Sequence, residues 1–417
     1  MKIIYLSQFY HPEPHSIHKE LAETLTSFGH EVIVVTSYPN YPIGKIYDGW
    51  KQKIFGEWET INGVSVLRCP VWPSHSKSIV FRGLHFLSFT FSSTILLLFR
   101  VPQVDAFLVH HPPPSLAFIA WLYNRHGKCP YILRMADLWP EFIASAGVSA
   151  NKLLMKVVDC VMKFIYRTTA HIIVPSPGFK RRLIDKGVPE DKITIVHNYA
   201  DEITYYPIEV DKKLKRSLML QDTDVIIIYA GNIGNPQRID VLIDAMKIIE
   251  QKNRQEIKLF IIGDGSCVNE LKSKCFNNGI NSVTFFEQML PEEVNRYYSI
   301  ADALFIQLED KLIWTDTIPS KIYAYMLAGR LIIAALKGDG ADVLSASQGG
   351  LMCDPCDAKA IADVILKIAD MSEDERMLMG KNNYNHAMNH FSKNIMIKRI
   401  ENILANAIKA NKSIKNG

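Results

Sequence analysis

Short runs of aliphatic and β-branched residues alternate along this chain with longer segments whose apolar positions recur at helical spacing. In the first half the strand-like runs are residues 2–7, 31–36, 64–68, 106–110, 130–134, 171–174 and 193–196, separated in several places by helical stretches at 16–28, 114–126, 150–168 and 176–186. That alternation is the signature of βαβ units on a parallel sheet. The pattern lapses near Asn198 to Asp201, and a polar, charge-rich stretch running to Asp224 reads as a linker. It restarts with Val225 to Gly231, followed by strands near 257–262, 283–286, 303–306 and 331–335, and helices from about Arg238, at 291–300 and at 320–328. Residues 357–409 read as helices only. The prediction is an α/β protein of two Rossmann-like doubly wound domains, 1–200 and 201–385, with a C-terminal helix in 386–417. Such sheets bind ligands beyond the carboxyl ends of their strands, so a site shared across a cleft between the domains is expected.

One segment breaks the rhythm. Within 79–100, the run from Gly83 to Phe99 is apolar or hydroxylated apart from His85 and is flanked by Arg82 and Arg100. At about 17 residues it reaches the lower limit of a membrane span. A crossing here would put consecutive strands of one sheet on opposite sides of a bilayer. Two readings remain: a helix lying in the interface, with Arg82, Arg100 and Trp72 near the headgroups, or a buried core helix. On the interfacial reading, Leu96-Leu97-Leu98 supplies apolar anchoring.

Length and composition agree with this organisation. A chain of 417 residues exceeds what one core usually organises, and 48% hydrophobic with 22% charged residues leaves no room for a long disordered tract. The net charge of +4 is dispersed in short clusters such as Lys180-Arg181-Arg182, which excludes a nucleic-acid footprint. Seven cysteines make no secreted disulfide framework, and Cys353 and Cys356 lack the second pair that a zinc site needs. No metal is assigned. The chain opens on a strand-like run, Lys2 to Ser7, rather than a signal peptide, so the expected compartment is the cytoplasm.

Four stretches carry candidate chemistry. Gly231-Asn232-Ile233-Gly234 leaves a strand and enters a helix, where glycines let backbone approach an anion, and Gln237 and Arg238 in the same turn supply further donors. The alternative is a turn that needs glycine for geometry alone. In Thr315 to Arg330, Pro319 suits a helix start, Ser320 can cap, Gly329 can stop, and Lys321 sits in the first turn, where a cation opposes the helix dipole unless an anion lies between. Asp316 precedes it. Gly263-Asp264-Gly265 closes a strand but lacks the third glycine of a dinucleotide fingerprint, since position 268 is Val, which disfavours a nicotinamide-dependent dehydrogenase. In the first half, Asp137 and Glu141 follow a strand beside Trp139, and His110 and His111 precede three prolines, making acid–base or acceptor contacts candidates there.

In order along the chain, Gly29-His30-Glu31-Val32, Asp137-Leu138-Trp139-Pro140-Glu141, Ser176-Pro177-Gly178-Phe179, Asn198 with Asp201, Gly231 to Gly234, Gly263 to Gly265, and Pro319-Ser320-Lys321 with Met326 to Arg330 resemble the family-4 glycosyltransferases of the GT-B fold, in particular the bacterial O-antigen, capsule and exopolysaccharide branch. The resemblance implies an acceptor domain first, a nucleotide-sugar donor domain second, and a last helix returning to the first domain. It implies retaining transfer from a nucleotide diphosphate sugar, UDP-linked by expectation, to an undecaprenyl-diphosphate-type lipid-linked saccharide, on the cytoplasmic face of the membrane and with no cofactor or metal. By the same analogy Gly231, Asn232, Gly234, Gln237, Arg238, Gly263, Asp264, Ser320 and Lys321 bind the donor. Lys321, Asp316 and Asp137 are catalytic, and His15, His110, His111 and Glu141 face the acceptor.

The chain departs from the family pattern at several positions. The glutamate pair spaced E-x7-E falls on Asp316 and Ala324, a cleft histidine or arginine is replaced by Ala136, and the glycine-rich first loop by His15-Ser16. These departures motivate an alternative, a catalytically degenerate nucleotide-sugar-binding or scaffold protein of the same fold.

Overall fold

A computed structural model of the chain describes residues 1–14, 16–74, 76, 79–127, 129–141 and 152–416. Its contacts divide into two units, Met1–Val196 with Met396–Gly417, and His197–Ile395.

The first unit is built on an eight-stranded sheet: β1 (Lys2–Leu6), β2 (Glu31–Ser37), β3 (Glu57–Ile61), β4 (Val64–Cys69), β5 (Ala106–His111), β6 (Tyr131–Met135), β7 (His171–Val174) and β8 (Ile193–Ile195), in the spatial order β3-β4-β2-β1-β5-β6-β7-β8. Every pair is parallel except β3 with β4. Strand β3 is absent from the sequence reading because it is a half-exposed edge with Glu57 and Glu59 in it, so it carries no apolar run. The strand order reverses between β1 and β5, which makes the ends of those two strands the switch point of this sheet.

The second unit holds a six-stranded, all-parallel sheet: β9 (Val225–Ala230), β10 (Ile257–Ile262), β11 (Val283–Phe286), β12 (Ala303–Gln307), β13 (Leu331–Ala335) and β14 (Gly350–Met352), ordered β11-β10-β9-β12-β13-β14. Both faces are covered, so alternate residues of β9 enter different cores: Ile227 joins Leu242, Met246 and Ile365, while Ile226 and Ile228 join Tyr298, Ile322 and Met326. That double burial is why the strand reads as an unbroken apolar run. The polar stretch 201–224 belongs to this unit and contains the short helix Lys212–Ser217.

The chain ends in three helices, Ala358–Asp370, Glu373–His390 and Lys393–Asn416. From Met396 onward the last one is part of the first unit, with Met396, Ile397, Ile400 and Leu404 buried and Glu401 Oε1 3.0 Å from His30 Nε2.

The helix Ile79–Arg100 is two-faced. His85, Phe89, Ser93, Leu96 and Leu97 are buried, and from the opposite side Leu84, Leu87, Phe91, Ile95 and Leu98 project into solvent. Neither reading of the sequence describes the whole helix, since one stripe is core and the other is apolar and uncovered. Leu96 and Leu97 are core residues, so the expectation that Leu96-Leu97-Leu98 anchors the chain as a run is corrected to Leu98 alone. The buried stripe carries a polar tie: His85 Nε2 lies 2.6 Å from Gln8 Nε2, and its Nδ1 lies 2.7 Å from the Trp72 carbonyl.

Candidate functional site

In the second unit the order reverses between β9 and β12, and the chain leaves β9 through Gly231. Gly231 has φ +129, and a Cβ there would lie 2.5 Å from Lys321 Cε. Gly263, at the end of β10 with φ +138, would carry a Cβ 2.1 Å from the Gly231 carbonyl oxygen, and a Cβ on Gly265 would lie 2.3 Å from that of Ile233. The glycines are thus required by the close approach of two strand-end loops to each other and to a lysine. Hydrogen bonds from Gly231 N to Ile262 O (2.9 Å) and from Ile233 N to Asp264 O (2.9 Å) hold the loops together.

Lys321 opens the helix Lys321–Leu327, and its Nζ lies 3.7 Å from the Tyr229 ring centroid and donates to the Tyr229 hydroxyl. Burial pushes its pKa down to about 7, because an ammonium taken from water loses more hydration than a single ring and hydroxyl return. Among the described residues no carboxylate pairs with it. Tyr325, four residues along and so on the same helix face, fixes the geometry: its hydroxyl accepts from Ala230 N (2.9 Å) and donates to Ala230 O (3.2 Å). Tyr229 and Tyr325 are site residues missed in the sequence. Their signals were a hydroxyl-bearing ring inside an aliphatic strand and the i, i+4 spacing from Lys321.

Other candidates in this unit have different duties. Gln237 accepts from Gly234 N (3.1 Å) and Asn232 Nδ2 (3.3 Å), and Asp264 Oδ1 accepts from Gly265 N (2.7 Å), so both brace their own turns. Arg238, at φ +44 between a 3-10 turn at Asn235–Gln237 and the helix Ile239–Gln251, closes its guanidinium on Asp240 at 3.0 and 2.9 Å. Its fork, expected on a phosphate, is already engaged. The amides of Gly231, Ile233 and Gly234 are likewise taken, which corrects the expectation of a full backbone cradle. Ser320 is exposed, lies in helical conformation and makes no side-chain cap, contrary to its expected role. Asp316 is buried and closes the short helix Leu312–Thr315.

The first unit places its candidates around the ends of β5 and β6. His111 is fully enclosed, its ring edge-on to Trp139 with centroids 5.9 Å apart, and burial holds its pKa down to about 3. It is a neutral packing group, so the expected acceptor contact through His111 is replaced by a structural role. His110 packs edge-on against His18 at 4.4 Å, and His18 Nδ1 lies 2.6 Å from the Tyr5 hydroxyl. Asp137, two residues past β6, is held up to about 6 by burial. Glu141 pairs with Lys186 at 2.7 Å. His15 lies outside the described residues.

The comparisons with known proteins follow the same division. The model described as "Glycosyl transferase 4-like domain" matches residues 16–199, and that described as "Glycosyl transferases group 1" matches residues 210–386. The chain is similar to WcaI of Escherichia coli K12, named for colanic acid biosynthesis as a glycosyl transferase, with 27% identity over 301 residues, 69% of this chain and 71% of that protein. It is also similar to WbjE of Pseudomonas aeruginosa, named as a glycosyltransferase, with 22% identity over 308 residues, 73% and 76% of the two chains. In fold it matches HepE of Anabaena, solved in complex with UDP and glucose, with TM-score 0.72 and 14% identity over 97% of this chain and 100% of the other.

Proposed function

The chain belongs to the glycosyltransferases of the GT-B fold defined by those two models, and on that premise we propose that it moves a hexose from a UDP-sugar to a lipid-linked saccharide with retention of anomeric configuration. The observation that carries this reading is the buried Lys321 ammonium, stacked on Tyr229 against the Cβ-less face of Gly231 at the strand-order reversal. A cation held there without a carboxylate partner is stabilised by an anion, and a diphosphate is the anion that a nucleotide-sugar donor presents. UDP is favoured as its nucleotide because HepE is described with UDP and glucose.

In the proposed reaction the bond between the sugar C1 and the β-phosphate oxygen breaks as an acceptor hydroxyl oxygen bonds to C1 from the same face. The hydroxyl proton passes to the departing phosphate, so no enzyme nucleophile is needed. Lys321, with Asn232 and Ser320 at the rim, stabilises charge growing on the leaving group, which supplies the positive charge without a resident metal or cofactor. The first unit is assigned the acceptor, with Asp137 at the end of β6 as its candidate contact. The lipid-linked character of the acceptor, and a peripheral position on the membrane, are supported by the uncovered apolar stripe of Ile79–Arg100, and the cytoplasmic face is part of the same proposal.

The test is a mass-spectrometric transfer assay that supplies UDP-sugars with extracted undecaprenyl-diphosphate saccharides, alongside calorimetric binding of UDP. Sugar addition with the donor's anomeric configuration is expected. UDP binding without turnover on any acceptor would instead favour a donor-binding scaffold.

A further inference from the structure

The apolar surface does not stop at the end of Ile79–Arg100. Arg100 donates to the carbonyl of Phe55, with the Gly56 carbonyl at 3.5 Å, which ties the turn before β3 to the end of that helix. Gly56 makes that approach possible: at φ +67, a Cβ would lie 2.8 Å from the Arg68 carbonyl and 2.9 Å from Leu96 Cδ1. The turn then holds two large side chains in the open, Ile54 at 84% and Phe55 at 78% exposure, and the helix end adds Phe99 at 84%. A soluble surface rarely gathers such residues without a partner.

Charge identifies the partner. The helix Ile79–Arg100 contains no acidic residue, while Arg82 and Arg100 stand exposed at its two ends; at the turn Glu57 is paired with Lys53, and Lys51 is exposed beside them. Its stretch Phe81–Arg100 is long and apolar enough to cross a membrane, yet most of it is left uncovered. An apolar stripe with basic ends matches the anionic headgroups and acyl boundary of a bilayer. A protein groove of ordinary composition would present some acidic complement instead.

We infer that Ile54 and Phe55 form a second lipid-inserting point, clamped by Arg100 to the end of the helix Ile79–Arg100, so that the first unit grips an anionic bilayer by a stripe and a wedge. The inference rests on the reading that this helix lies on the membrane. A single stripe leaves the unit free to roll about the helix axis; a second point of insertion off that axis removes that freedom.

The experiment is co-sedimentation of the full chain with vesicles of phosphatidylcholine containing phosphatidylglycerol and with phosphatidylcholine alone. The unsubstituted chain, the I54S/F55S variant and the L87S/F91S variant are compared, with circular dichroism verifying the fold of each. Both variants are expected to lose partitioning to the anionic vesicles by roughly tenfold or more, with weaker binding throughout to phosphatidylcholine alone. If I54S/F55S sediments like the unsubstituted chain while L87S/F91S is released, the wedge is wrong and the helix reading stands. If the unsubstituted chain ignores both vesicles, or associates only with its own copies, the helix reading and the wedge fall together.

Discussion

The two sheets reverse strand order in the same way, yet they furnish their strand ends with opposite materials. At the end of β9 the second unit removes side chains: Gly231, Gly263 and Gly265 bring backbone against backbone, and into the gap comes one buried cation, Lys321. At the ends of β1, β5 and β6 the first unit adds side chains, packing Tyr5, His18 and His110 together and, separately, His111 against Trp139. The first arrangement leaves a charge short of solvation and therefore ready for an anion. The second encloses its aromatic and imidazole rings in mutual packing and, at the helix Ile79–Arg100, turns an apolar face outward. A fixed fold thus yields a charge-seeking end or a surface-seeking unit according to where the sequence spends glycine and where it spends aromatic residues.

The contrast is broken most severely at Lys321. Lys321→Ala is expected to lower transfer roughly 10²- to 10³-fold in steady-state kinetics, with the fold retained. The free lysine, at about 7, must be protonated to hold a diphosphate, so UDP binding at pH 8 should take up a proton and weaken as pH climbs from 7. Calorimetry in buffers of different ionisation enthalpy reads that uptake, and its persistence in Lys321→Ala would detach the pH dependence from this residue. Because the folded pKa lies below the unfolded one, the unliganded chain should also gain stability as pH rises from 7 towards the ordinary lysine value.

Gly263→Ala tests the glycine side of the contrast. With a Cβ 2.1 Å from the Gly231 carbonyl and φ +138, it should destabilise the second unit by roughly 3 kcal/mol, seen as a lowered denaturation midpoint. An unchanged midpoint would mean that the two loops separate at little cost. The smallest effect has the opposite sign and belongs to the first unit. Asp137 is held at about 6, above the ordinary carboxylate value, so its ionisation opposes folding and stability should decline as pH rises from about 4 to 6. Asp137→Asn should remove that decline and stabilise the chain at pH 7 by on the order of 1–3 kcal/mol. Urea titrations across that range measure it, and an undiminished decline would place its source elsewhere.

Much of the fold was legible because strands buried on both faces, such as Val225 to Ala230, read as continuous apolar runs. The edges were not: Glu57–Ile61 is polar on an exposed border and Gly350–Met352 spans only three residues. Of the site, the glycines could be read because tight turns demand them. The contact of Tyr229 with Lys321 joins residues 92 positions apart, and no local period announces it. Arg238 looked available because the sequence shows a guanidinium but not that Asp240, two residues on, closes the fork. His111 looked reactive because a histidine beside prolines says nothing of how completely it is enclosed.

The last helix bears on the timing of synthesis. Met396, Ile397, Ile400 and Leu404 are buried parts of the unit that begins at Met1, so a ribosome that has made the whole amino-terminal half has not yet made everything that half holds. The second unit has its full set of residues once Ile395 emerges, before the first does. A chain truncated after Ile395 should therefore show a protease-resistant carboxyl-terminal portion and an amino-terminal portion still lacking its final piece.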